Sequence, residues 1–139
     1  MFLDKLYLRK IRNIKEAVLS LSPRTNVIIG ENASGKTTIL ESIDILSRGR
    51  SFRTNKIDSL VKDGEKTLYV GATLGDKKKK LEVEKGKNRT KILIEGKEET
   101  KQSKIAREVA VQSIHPNSHA FIEGPPSERR AYLDWGLFH

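Results

Sequence analysis

The chain contains no cysteine, so it can form neither a disulfide framework nor a thiolate metal site. That absence fits a reducing compartment. No apolar run approaches the roughly 20 residues that a membrane-spanning helix needs, and no membrane partner is expected. The opening residues carry Asp4, Lys5, Arg9 and Lys10 among their apolar positions. A secretory leader would instead be unbroken and apolar up to a small-residue cleavage site, so a cytoplasmic location is expected. Histidine is scarce. His115 and His119 have the spacing of a helical metal pair, but Pro116 and Asn117 between them break the helix that spacing requires. No metal is assigned there.

What the chain has in quantity is charge. At 139 residues it has room for one domain with one core, and 36% hydrophobic with 32% charged residues is a globular composition. Lys and Arg outnumber Asp and Glu by 27 to 18, a net charge of +9. A small basic domain points to a polyanion, because each cation placed near a phosphate releases a counterion. A well-solvated Lys- and Glu-rich surface would give the same composition.

Period-2 alternation marks the first elements. Leu6 and Leu8 alternate with Lys5, Tyr7 and Arg9, and Ala17, Leu19 and Leu21 alternate with polar positions, the turn lying at Arg12–Lys15. Asn26-Val27-Ile28-Ile29 is a short unbroken run of the kind expected in a strand buried on both faces. Behind it comes Gly30-Glu31-Asn32-Ala33-Ser34-Gly35-Lys36-Thr37, and then Ile39, Leu40, Ile43 and Leu46 at helical spacing up to Gly49. Ile57, Leu60 and Val61 suggest a short helix, and Leu68 to Leu74 a strand. Leu81–Val83 and Lys91–Ile94 read as hairpin strands with Gly-containing turns. Val109 to Ile114 reads as a further strand. A last helix is expected from Gly124-Pro125-Pro126, where proline suits a first turn.

The loop Gly30–Thr37 matches G-x-x-x-x-G-K-[ST], and each position has a physical task. The glycines permit backbone conformations that turn successive N–H groups inward around phosphates. The helix start adds its partial positive charge. Lys36 supplies a full charge to the β and γ phosphates, and the Thr37 hydroxyl suits a magnesium ion. Thr38 continues the same wall. By average residue usage the fixed positions match by chance in about one chain of this length in two hundred. The flanking strand and helix signals lower that further. The expected cofactors are ATP and Mg2+.

The loop alone leaves the reaction open. Hydrolysis also needs an acid at the end of a neighbouring apolar strand. The nearest candidate, Ile92-Leu93-Ile94-Glu95, sits in a lysine-rich hairpin with glycine next, and is read as a turn. No catalytic residue is assigned, and the chain is expected to stop before the catalytic half.

Over its whole length the chain resembles the amino-terminal part of the RecF family, bacterial DNA-repair ATPases related to SMC proteins and ABC-type ATPases. Leu6–Asn13 is similar to the family's first strand and Arg-Asn turn, Gly30–Thr37 to its phosphate loop, and Leu40-Glu41-Ser42-Ile43 to the following helix. Gly49-Arg50-Ser51-Phe52-Arg53-Thr54 and the block Gly124–Gly136 resemble two further family signatures. The resemblance implies an ABC-type head of which residues 1–139 are the first lobe, an α/β P-loop unit with a mixed sheet and an antiparallel β portion. The signature motif, Walker B acids and D-loop would come later, leaving this chain inactive alone and the full protein a weak DNA-stimulated ATPase. It also implies an ATP-dependent homodimer on duplex, gapped or junction DNA, with RecR and RecO as partners. Arg12 and Asn13 would approach the nucleotide, with Arg12 able to grip a γ-phosphate bidentately, and Gln112 would complete the magnesium shell. Arg53 would link DNA to the nucleotide site.

The lysine-rich segment, about residues 66–104, includes Lys77, Lys78, Lys79 and Lys80. From Gly75 to Lys104 it holds ten lysines and Arg89 against six acids. Such charges on hairpins suit nonspecific contact with a phosphate backbone. No aromatic residue lies between Gly75 and Lys104 to stack on bases, which favours duplex. Two other readings remain open: a metabolic P-loop phosphotransferase and a non-catalytic nucleotide-binding module. The far face of the lobe is expected to expose apolar surface, and the helix from Pro126 to be poorly anchored.

Overall fold

In the computed structural model, residues 2–54, 56–75, 78–114 and 125–138 are described. Lys77, the pair His115 and His119, and Gly124 lie outside them.

Six strands form one sheet in the order β2-β1-β3-β4-β5-β6, every neighbouring pair antiparallel. β1 (Leu3–Ile11) and β2 (Ile14–Ser20) are joined through Arg12 and Asn13, with Ile11 opposite Ile14 and Arg12 at φ 48. β3 (Thr67–Leu74) pairs with the other edge of β1, then β4 (Lys79–Gly86), β5 (Thr90–Ile94) and β6 (Lys97–Glu99) follow as successive hairpins. The alternation read from the sequence sets the register. Leu8 lies opposite Val70, Val70 opposite Val83, and Val83 opposite Ile92. These rows put Leu6, Leu8, Leu68, Val70, Ala72, Leu81 and Val83 on one buried face. Each such aliphatic side chain larger than alanine contributes about 1.5–3 kcal/mol by leaving water. The opposite face carries Lys5, Tyr7, Arg9, Tyr69 and Glu82, with the Arg9 guanidinium 4.3 Å above the Tyr69 ring.

Helix α1 (Lys36–Arg48) lies on the buried face with α2 (Ser103–Glu108) beside it. α1 ends where Gly49, at φ 69, returns its N–H to the Ile45 carbonyl at 2.8 Å, the left-handed stop that glycine makes at least cost. The last carbonyls of the helix are bound by side chains from elsewhere. Gln102 Nε2 donates to Leu46 and Ser47, and the Lys85 ammonium to Gly49. Burial pulls the Lys85 pKa down, while the negative end of the helix gives its charge a partner.

Four features differ from expectation. Asn26–Ile29 joins no sheet among the described residues, and Val27 and Ile29 are 76% and 88% exposed. A β-branched run signals extended backbone, but burial needs strands on its edges, and the described sheet forms without it. Val109–Ile114 is likewise in no strand, although Val109 itself is extended. The segment is held by α1: Ser47 Oγ donates to the Val109 carbonyl at 2.8 Å and Arg48 Nη2 to that of Val111 at 2.7 Å, while the Ser113 side chain donates to Asp44 Oδ1 at 3.2 Å. Its alternation records packing on a helix. The third difference is the orientation of α1: Leu40 is half exposed, while Thr38, Glu41, Ser42 and Ile45 are buried. The fourth is the presence of β6 and α2, which sequence patterning did not indicate. A final helix, α3, spans Pro126–Phe138, and its described side chains are exposed.

Candidate nucleotide site

The hairpin β1–β2, the loop before α1 and the segment holding Arg53 bring part of the predicted site together. A cleft of about 430 Å³ is lined by Arg12, Asn13, Asn32 to Thr38, and Arg53. Gly30 and Glu31 form the loop's entry outside that lining.

Within the loop, Ala33 at φ 64 and Gly35 at φ 100 both take left-handed backbone conformations. Gly35 suits this, since the left-handed backbone and not crowding is what disfavours a Cβ there. At Ala33 the same conformation costs about 1–2 kcal/mol for a residue with a Cβ, so something must hold it. Asn13 does: its Nδ2 donates to the Ala33 carbonyl at 2.8 Å. The Asn13 Oδ1 lies 3.5 Å from the Thr38 hydroxyl. The turn after the first strand therefore clamps the phosphate loop from outside.

Lys36 folds back over the loop, its Nζ donating to the carbonyls of Gly30 at 2.7 Å and Glu31 at 2.5 Å. That stretches the ammonium across the cradle where phosphate oxygens would be its partners. Arg12 does not extend freely. Its Nε and Nη2 grip the two oxygens of Glu41 at 2.6 and 2.8 Å. Glu41 is fully buried, and it also accepts the Ser51 hydroxyl and stands 3.7 Å from Arg53 Nη1. Sequence patterning missed Glu41 as a site residue. The available signal was a carboxylate one helical turn before Ile45, on the face that packs inward.

The chemistry of this donor set fits a polyphosphate. Arg12, Lys36 and Arg53 line the cleft, with Glu41 behind them, giving a local surplus of two positive charges, and the start of α1 adds the partial positive charge of its first turn. Among the described residues no cluster of three or more His, Asp or Glu could hold a metal. Magnesium would rest on the Thr37 hydroxyl and on phosphate oxygens, as that ion commonly does. Gln112 is exposed and outside the lining, on the segment tied to the C-terminal half of α1. Of the lysines, Lys78 is exposed at the β3–β4 turn, Lys79 pairs with Glu108 at 2.6 Å, and Lys80 with Glu82 at 3.1 Å.

Fold and loop together define a P-loop nucleotide-binding lobe built on an antiparallel sheet. Residues 1–128 match the AAA ATPase domain. The chain belongs to that family, and the relatives it matches there are RecF proteins. It is 34% identical over 142 aligned residues to "DNA replication and repair protein RecF" of Erwinia tasmaniensis, covering all of this chain and 39% of the relative. The Escherichia coli O1:K1 protein of that name is also 34% identical, with 40% of its length covered. The chain thus spans about two-fifths of the length of these relatives. A structure of the recombination mediator protein RecF-ATPrS in the RecFOR pathway superposes with a TM-score of 0.86 at 32% identity, over 99% of this chain and 38% of that one. The corresponding RecF-ATP structure gives 0.85 at 33%, over 96% and 38%. The SMC head domain from Thermotoga maritima shares the fold, with a TM-score of 0.62 at 20% identity over 79% and 43%.

Proposed function

We propose that this chain is the ATP- and Mg2+-binding lobe of a RecF-type DNA-binding ATPase acting in recombinational repair and replication restart. The observation that carries the reading is the convergence of Lys36, Arg12, Arg53 and the left-handed loop residues on one cleft. Two RecF structures named for bound nucleotide share this fold over nearly the whole chain. In the proposal Lys36 and the loop amides hold the β and γ phosphates, Thr37 ligates magnesium, and Gln112 joins that shell only if its segment moves toward the cleft. Arg53 and the lysines from Lys77 to Lys80 meet the DNA backbone, Lys79 and Lys80 by leaving their present carboxylate partners. ATP-dependent dimerisation on DNA, association with RecR and RecO, and a cytoplasmic location complete the reading. The metabolic phosphotransferase loses support, since the blocks at Gly49 and Gly124 fall within an alignment to RecF that covers the entire chain.

Calorimetry with Mg-ATP and with GTP, on the wild type and on Lys36→Ala, tests the core of this. ATP is expected to bind the wild type, and the variant to lose at least tenfold, about the contribution of one charge-assisted contact. Equal binding by the two proteins would refute the site. Duplex binding that weakens steeply with salt is the second expected result, and salt-insensitive or absent binding with ATP present would remove DNA from the proposal.

A further inference from the structure

The cleft is backed by a carboxylate that has no place in the phosphate-loop pattern. Glu41 is 0% exposed on α1. One of its oxygens accepts Arg12 Nε at 2.6 Å and faces Arg53 Nη1 at 3.7 Å, and the other accepts Arg12 Nη2 at 2.8 Å and the Ser51 hydroxyl. The Ser51 oxygen in turn accepts the Arg53 backbone N–H at 2.9 Å. A buried carboxylate is costly unless paired and hydrogen-bonded, and here both conditions are met. The pairing is also unequal. One negative charge is set against two guanidiniums, and both arginines line the cleft alongside Lys36. Glu41 takes two of the five N–H donors of Arg12, leaving three for another anion.

We infer that Glu41 is a positioning residue for the terminal phosphate of a bound nucleoside triphosphate. It holds Arg12 and Arg53 on one wall and links nucleotide occupancy to the Ser51–Arg53 segment. The inference rests on the nucleotide-binding reading above and adds to it a residue that never touches the ligand. The physical argument is preorganisation. A guanidinium already fixed by a two-pronged carboxylate loses little freedom when it meets a phosphate. The loop and Lys36 already hold the β phosphate that both nucleotides carry, so the consequence of Glu41 falls on the terminal phosphate that separates a triphosphate from a diphosphate.

The test is calorimetry of the chain with Mg-ATP and Mg-ADP, for the wild type, Glu41→Gln, Glu41→Asp and Ser51→Ala, with thermal melting in parallel. Glu41→Gln keeps the shape and removes the charge. It is expected to lower the ATP-over-ADP affinity ratio about tenfold, the size of one charge-assisted hydrogen bond, with ADP affinity staying within about twofold. Glu41→Asp, which retains the charge, recovers part of the ratio. Ser51→Ala, which leaves both arginines and the carboxylate, lowers it about threefold, as loss of a single neutral-donor bond would. An unchanged ratio in Glu41→Gln alongside a lowered melting temperature would make Glu41 a purely structural ion and overturn the inference. If Glu41→Gln does not fold, an unchanged ratio in Ser51→Ala overturns it instead. A wild-type chain that binds neither nucleotide defeats the nucleotide-binding reading itself, and the inference with it.

Discussion

Replacing Asn13 isolates the clamp between the first hairpin and the phosphate loop. Its amide is exposed and makes one good bond, 2.8 Å to the carbonyl of Ala33. Ala33 is the non-glycine residue of the loop held at positive φ. A neutral side chain–backbone hydrogen bond contributes about 0.5–1.5 kcal/mol net, and the left-handed backbone it restrains costs about 1–2 kcal/mol. Losing the bond in Asn13→Ala lets the loop leave its cradle shape. Binding must then restore that shape, which weakens Mg-ATP affinity by about two- to twelvefold. The melting temperature should fall by at most a few degrees, at about 2–5 °C for each kcal/mol lost. Asn13→Asp is the sharper variant. A carboxylate of the same size cannot donate to Ala33, and it places a negative charge on the cleft wall against the phosphates. Its loss of affinity should exceed that of the alanine variant, and raising the salt should narrow the gap between them. Isothermal calorimetry on the three proteins reads all of this. Wild-type affinity in Asn13→Ala would mean the loop holds itself, and tighter binding by Asn13→Asp than by Asn13→Ala would refute the electrostatic part.

Two further outcomes follow from the sheet. Leu8 is fully buried between Ala17 and Val70 on neighbouring strands, so Leu8→Ala should cost about 2–5 kcal/mol in denaturant unfolding, with an unchanged slope. A loss under 1 kcal/mol would mean the face is not packed as described. Tyr69 has its pKa pushed up to about 12, first by burial and then by its hydrogen bond to Glu82 at 2.7 Å. The folded value lies above the ordinary 10, so this contribution to stability is whole below about pH 10 and is lost as the pH rises toward 12. Absorbance titration should show a tyrosine ionising late in the folded chain, and Tyr69→Phe should remove that step. A late step that persists in the variant would assign it elsewhere.

Much of the site is local in sequence and was legible there. Gly35, Lys36 and Thr37 are consecutive, and the loop's function depends on backbone freedom, one charge and one hydroxyl, all of which the residue types carry with them. The strands β1 to β5 were legible for a similar reason, since alternation of period two states which side chains share a face. Neither signal states what lies opposite. Asn26–Ile29 and Val109–Ile114 both have strand character, but hydrogen-bonded partners decide whether extended backbone becomes sheet. Among the described residues the first joins no sheet, and the second has its Val109 and Val111 carbonyls taken by Ser47 and Arg48. The α1 periodicity pointed to Leu40 as a core residue, yet the helix turned Glu41 inward, because Arg12, distant in sequence, supplies a guanidinium that makes burial of that carboxylate tolerable. The sequence by itself determined a phosphate-binding loop between a short apolar run and an amphipathic helix, with a lysine-rich hairpin region further along the chain. Only the tertiary structure decided that Asn13 holds the loop and that Glu41 holds the arginines, since both depend on groups brought together across the fold, where no spacing along the chain records the encounter.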